Sequence, residues 1–149
     1  MNDLMEILRQ ELVVLEDARD IFRRSFEKCS GIGVKSDFTY EELESFEALT
    51  SRFARLSDMI IQKILRLFDE LDLEESGAVR DRINRAEKKG IIASADDFIQ
   101  IRILRNEIAH EYKPEAFSDI FSQVMKLAPA LLESVGGISA YSMRYFRKI

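Results

Sequence analysis

Leucine, isoleucine and phenylalanine recur along this chain at spacings of three, four and seven, the repeat of one helix face. In the first segment the stripe is Leu4, Leu8, Leu12, Leu15, Phe22 and Phe26, and it is expected to stop before Ser30-Gly31-Ile32-Gly33. The second segment opens at Thr39, where Thr39-x-x-Glu42 has the form of a capping box. Its stripe runs through Leu43, Phe46, Leu49, Phe53, Leu56, Ile60, Ile64, Leu67 and Leu71. At 1.5 Å per residue this predicts a rod on the order of 50 Å long. A shorter helix is predicted from about Ser76 to Lys89, closed by Gly90.

A fourth helix is predicted from Ser94, with Asp96 and Asp97 in its first turn, where the helix dipole favours negative charge. It reaches Tyr112. Pro114 then opens a last helix carrying Phe117, Ile120, Phe121, Val124, Leu127, Leu131 and Val135. Pro129 is expected to kink that helix and Gly136-Gly137 to end it, leaving Ile138–Ile149 as a basic tail. With few strand-favouring residues apart from Ile, the pattern predicts an all-α fold. The expected architecture is an antiparallel up-down helical bundle of four main helices plus one short helix, a single domain over residues 1–149.

Composition narrows the chemistry. One cysteine, Cys29, leaves no internal disulfide framework and no Cys-rich zinc site. One histidine, His110, leaves no His–His metal pair, and no metal or cofactor is expected. The net charge of −5 argues against a protein that coats nucleic acid by bulk charge, while leaving room for a local basic patch. Charge is unevenly spread: Asp37–Glu47 and Asp69–Glu75 are acidic runs, whereas Val79–Gly90 is mainly basic. Met1–Glu6 lacks the basic start and apolar core of a signal peptide, and no apolar run approaches membrane-spanning length. The expectation is a cytoplasmic protein with no membrane partner.

One helix departs from a plain core pattern. On a wheel of about 100° per residue, Asp97–Tyr112 shows two seams, roughly 160° apart. The first is Ile101, Arg105, Ile108 and Tyr112; the second is Ile99, Ile103, Asn106 and His110. Two seams imply two partners: the protein's own core and something else, for which a second copy is the expectation. A guanidinium inside an apolar stripe is costly unless paired, for example by Asp58, or unless the stripe opens onto a cleft there. His110 reads either as a satisfied core histidine or as a functional group.

The segment Arg105-Asn106-Glu107-Ile108-Ala109-His110-Glu111-Tyr112 resembles the R-x4-H-x-Y signature of HepT-type toxins of the HEPN superfamily, which are small all-helical proteins. Outside these eight residues the likeness is one of architecture, with Arg52–Asp58 similar to a polar patch that some members carry. The resemblance implies a metal-independent endoribonuclease toxin of a type VII-like toxin–antitoxin system. It would cut RNA at a composite active site of a homodimer.

Arg105 would fork onto phosphate oxygens, His110 would move the ribose 2′-OH proton, and Asn106 would orient imidazole or phosphate. Asp58 and Arg102 are candidate supporting residues. Tyr112 would be the residue to which a minimal nucleotidyltransferase antitoxin transfers AMP, silencing the enzyme. The alternative from a different class is a non-catalytic HEPN helical module that binds a nucleotidyltransferase partner or a nucleotide. A purely structural helical dimer is the third reading.

Overall fold

The computed structural model describes residues 2–111 and 113–147 of the chain. Tyr112, the expected modification site, lies outside the described residues, as do Met1, Lys148 and Ile149. The protein is all-helical, and no strand occurs among the described residues. In chain order the elements are α1 (Asn2–Ile32), α2 (Tyr40–Asp58), a π-helical turn (Met59–Ile64), α3 (Leu65–Leu71), α4 (Val79–Lys88), α5 (Ala95–His110), a 3-10 turn (Pro114–Ala116) and α6 (Phe117–Phe146). None of these helices is long and apolar enough to cross a membrane, among the described residues.

Helix starts follow the capping chemistry of the sequence. Thr39 and Glu42 form a reciprocal pair: the Glu42 N–H donates to Thr39 Oγ1 at 3.2 Å, and the Thr39 N–H donates to Glu42 Oε1 at 2.9 Å. Ser94 Oγ accepts from the Asp97 N–H at 3.1 Å and opens α5. Gly90 follows α4 with φ +76°, the left-handed conformation that glycine adopts freely.

Several boundaries differ from expectation, among them the end of α5, which stops at His110 with Glu111 already extended (φ −93°, ψ 122°), short of the expected Tyr112. α1 runs through Ser30 and Gly31 to Ile32 and turns only at Gly33, φ +81°. α4 starts at Val79 rather than near Ser76, with the Ala78 N–H donating to Asp81 Oδ2. Most consequentially, α6 passes straight through Gly136-Gly137 and carries the expected tail, as far as Phe146, as helix. The reason lies in packing: a Cβ on Gly137 would sit 2.1 Å from the Ile91 carbonyl oxygen. Gly137 lets α6 approach the α4–α5 connection closely, and its place in the sequence reflects that contact rather than a helix end.

Contacts fix how the helices run. Cys29 meets Ser45, Ser25 meets Arg52, and Glu11 faces Lys63, so α1 lies antiparallel to the α2–π–α3 rod. Phe121 stacks on Phe46, while Tyr141 and Tyr145 pack on Phe68, so α6 runs alongside that rod in the same direction. The core between them is built on Leu8, Leu15, Phe22, Phe46, Phe53, Ile60, Ile64, Val124 and Leu131, each with no measurable exposure. Cys29 is buried there, and burial raises its thiol pKa.

The two oppositely charged runs meet each other. Arg85 donates to Asp69 at 2.8 Å and Lys89 reaches both Asp72 and Glu74 at 2.7 Å. Arg82 lies 3.8 Å from Asp69. The basic character of Val79–Gly90 is therefore largely spent on holding α4 against the end of α3. Tyr141 and Tyr145 of α6 also donate to Asp72, which ties three helices to one carboxylate. Burial alone would raise the Asp72 pKa, but the hydrogen bonds from Lys89, Tyr141 and Tyr145 hold it below the usual carboxylate range.

Candidate functional site

The register of α5 is set at its start, where Ser94 caps Asp97 and Glu87 Oε2 accepts from the Ala95 N–H at 2.9 Å. From there Phe98, Ile101 and Leu104 fall on the buried face. Ile101 is the core member of the first predicted seam, Ile108 is half-buried, and Arg105 sits at the edge of the stripe, where it emerges. Of the second seam, Ile99 is half-buried, whereas Ile103, Asn106 and His110 are exposed. Ile99 packs against the core, and only the Ile103, Asn106 and His110 part of the seam stands uncovered by the described residues.

Arg105 lies against Asp58, the last α-helical residue before the π turn. Its Nε donates to Oδ1 at 2.8 Å and its Nη2 to Oδ2 at 2.9 Å, a bidentate fork. The hydrogen bond to Asp58 raises the guanidinium pKa further, more than partial burial lowers it. Both partners stay wet, with side chains 32% and 42% exposed. Arg105 is therefore paired with Asp58, though with a half-exposed carboxylate rather than the buried one a core pairing would need, and the stripe also opens onto a cleft.

That cleft has a volume of about 560 Å³ and lies between α5 and the α2–π rod. Arg55, Lys63, Arg102 and Arg105 line it with a single carboxylate, Asp58, and with Asn106. Among the described residues Arg55 and Arg102 have no ion-pair partner, and Lys63 reaches Glu11 only at 3.9 Å. The arrangement suits an anion with several negative groups. It brings together Arg105, Asn106, Asp58 and Arg102 from the predicted set. It does not bring in His110, which stands exposed at the end of α5 outside the cleft lining.

The π turn is the feature that sequence reasoning missed. An i→i+5 bond from the Leu65 N–H to the Ile60 carbonyl widens the rod where the cleft opens. The Ile61 carbonyl in this turn accepts from Arg82 Nη1 at 3.0 Å. Nothing in the apolar stripe signals this, because Ile60 and Ile64 keep helical spacing across it. Arg55 was within reach: Arg55, Asp58 and Gln62 are three and four apart, a polar face beside the apolar one.

Among the described residues, no group of three or more His, Cys, Asp or Glu side chains is placed to hold a metal ion. Comparisons with protein-family models, with curated proteins and with solved structures find no match to this chain.

Proposed function

We propose that this chain is a HEPN-type endoribonuclease that cleaves single-stranded RNA without a metal, as a homodimer on an up-down four-helix framework. One observation carries the reading: the R-x4-H segment lies on the closing turns of α5, with Arg105 and Asn106 on a cationic cleft and His110 exposed at the helix end. A cleft rich in guanidinium but lacking the imidazole is half of a phosphodiester-cleaving site. Pairing two copies through the uncovered Ile103–Asn106–His110 seam would supply the imidazole of one subunit to the cleft of the other.

The chemistry needs little more. The ribose 2′-oxygen attacks the adjacent phosphorus and the bond to the 5′-oxygen breaks, giving a 2′,3′-cyclic phosphate and a 5′-hydroxyl. His110 accepts the 2′-OH proton, and a proton returns to the departing 5′-oxygen. Arg105 stabilises the added negative charge on the phosphoryl oxygens. On the same reading, AMP transfer to Tyr112, on the same motif as Arg105, by a minimal nucleotidyltransferase antitoxin adds bulk and negative charge and silences the toxin.

The test is cleavage of an unstructured RNA by the purified protein together with its sedimentation behaviour. Cleavage by a dimer, lost in Arg105→Ala and in His110→Ala with the fold retained, is the expected result. A monomer at micromolar concentration, or cleavage untouched by both substitutions, overturns it.

A second reading has its own support, since Arg105 is already satisfied by Asp58 within one protomer. It makes the chain a non-catalytic helical module that binds a nucleotidyltransferase. Under that reading neither substitution affects RNA, while incubation with the partner and ATP still adds mass that Tyr112→Phe removes.

A further inference from the structure

The Asp58 carboxylate presents two oxygens to Arg105 in the same parallel fork that two phosphoryl oxygens would use. It does so in a cleft whose other cations, Arg55, Arg102 and Lys63, are unpaired among the described residues or, for Lys63, held only at 3.9 Å. A guanidinium satisfied from within, beside two cations with no ion-pair partner among the described residues and a third held only at 3.9 Å, is an unusual division of charge for one cleft. We propose that Asp58 is an internal stand-in for phosphate: it occupies the fork of Arg105 until a phosphodiester chain, first gathered by Arg55, Arg102 and Lys63, displaces it.

Three observations favour displacement over a permanent staple. The pair is wet on both sides, and exposed ion pairs are weakly held. The exchange needs only side-chain rotation, because Ser57 beside Asp58 is buried and the following turn is tied through Ile61 to Arg82. The free cations lie in the same cleft, so a chain bound to them presents its next phosphate to Arg105 at high effective concentration. A lone phosphate has no such tether and must compete with Asp58 unaided.

This inference deepens the nuclease reading and rests on it for the choice of RNA, but its test involves no cleavage. Binding of a 2′-O-methyl oligouridine, which cannot be cut, and of inorganic phosphate is measured for the full chain and its variants. Asp58→Asn should tighten both by roughly three- to tenfold, the gain expected when a weak competing ion pair is removed. In an Arg105→Gln background the same change should yield less than twofold. Asp58→Ser serves as a second variant, and thermal melting confirms the fold of each.

The salt dependence gives an independent arm. Arg55→Ala and Arg102→Ala should each reduce the slope of log K against log salt by about 0.7 for the oligouridine. An Asp58→Asn gain of equal size with and without Arg105 would show that Asp58 acts through its charge alone and overturns the proposal. Weaker binding in both Asp58 variants would overturn it too. Loss of cleavage with this binding pattern intact would sink the nuclease reading only.

Discussion

Arg105 and Asp58 meet fork to fork, at 2.8 and 2.9 Å, and this pair joins α5 to the rod at the point where its α-helix gives way to a π turn. A bidentate geometry alone would suggest a strong staple. Exposure of 32% and 42% says otherwise, because water screens both charges. A double-mutant cycle with Asp58→Asn and Arg105→Gln, read by urea unfolding, should give a coupling of no more than about 1 kcal/mol. A coupling above about 3 kcal/mol would match a desolvated structural pair and leave little reason to assign the fork a ligand.

Arg82 is the opposite case. Its side chain is mostly covered, and it donates to the Ile61 carbonyl at 3.0 Å while lying 3.8 Å from Asp69. Burial lowers its pKa, opposed by Asp69. Arg82→Met keeps the stem but removes that charged hydrogen bond, and should cost about 1–3 kcal/mol in urea unfolding. Arg55→Ala, at an exposed cleft residue with no ion pair among the described residues, should change stability by less than about 0.5 kcal/mol. Equal effects from both would mean that Arg82 does not support the turn.

The fold was legible wherever one local rule decided it. Thr39 with Glu42, Ser94 with Asp97, and Gly90 each mark a helix boundary by backbone chemistry that needs no partner. Long-range contacts decided the remainder. Gly136-Gly137 carries the local signature of a helix end, and only the position of Ile91 shows why a glycine stands inside α6. At the candidate site, the wheel put Arg105 and His110 on seams roughly 160° apart, and the protomer keeps them apart. The choice between a paired Arg105 and an Arg105 on a cleft could not be made from sequence, since both hold at once. The π turn left no trace in the hydrophobic pattern.

Asp72 should make stability depend on pH in a definite direction. Its folded pKa lies below the ordinary 3.8, so its contribution is present above that value and is lost as pH falls through the lower folded value. Lys89, Tyr141 and Tyr145 work at the other extreme. For Lys89, hydrogen bonds to Asp72 and Glu74 outweigh burial and raise its pKa. Burial raises those of the two tyrosines, helped by Asp72. Their stabilisation is present below the unfolded values and is lost as pH rises through the raised ones. Urea unfolding at several pH values should therefore show Asp72→Asn about 1–3 kcal/mol less stable than wild type at pH 7. The difference should shrink below pH 4. A gap of constant size down to pH 2 would contradict the ionic role of Asp72.

The adjacent glycines of α6 supply a sharper test, because the same substitution should act with opposite sign at neighbouring positions. Gly136 is exposed, and a Cβ there meets nothing within 4 Å. Gly136→Ala removes backbone freedom from the unfolded chain at a helical position and should stabilise by about 0.5–1 kcal/mol. Gly137 is half-buried, and its Cβ would stand 2.1 Å from Ile91 oxygen and 3.2 Å from the carbonyl carbon. Neither helix nor connection can yield that distance by rotating a side chain, since the obstacle is backbone. Gly137→Ala should therefore force α6 away from the α4–α5 connection and cost about 1–3 kcal/mol. Were the two glycines a helix break, as their sequence suggests, alanine at either site would be roughly equivalent. Urea midpoints that move in opposite directions establish that α6 is continuous to Phe146 and packed on Ile91; midpoints that move together refute it.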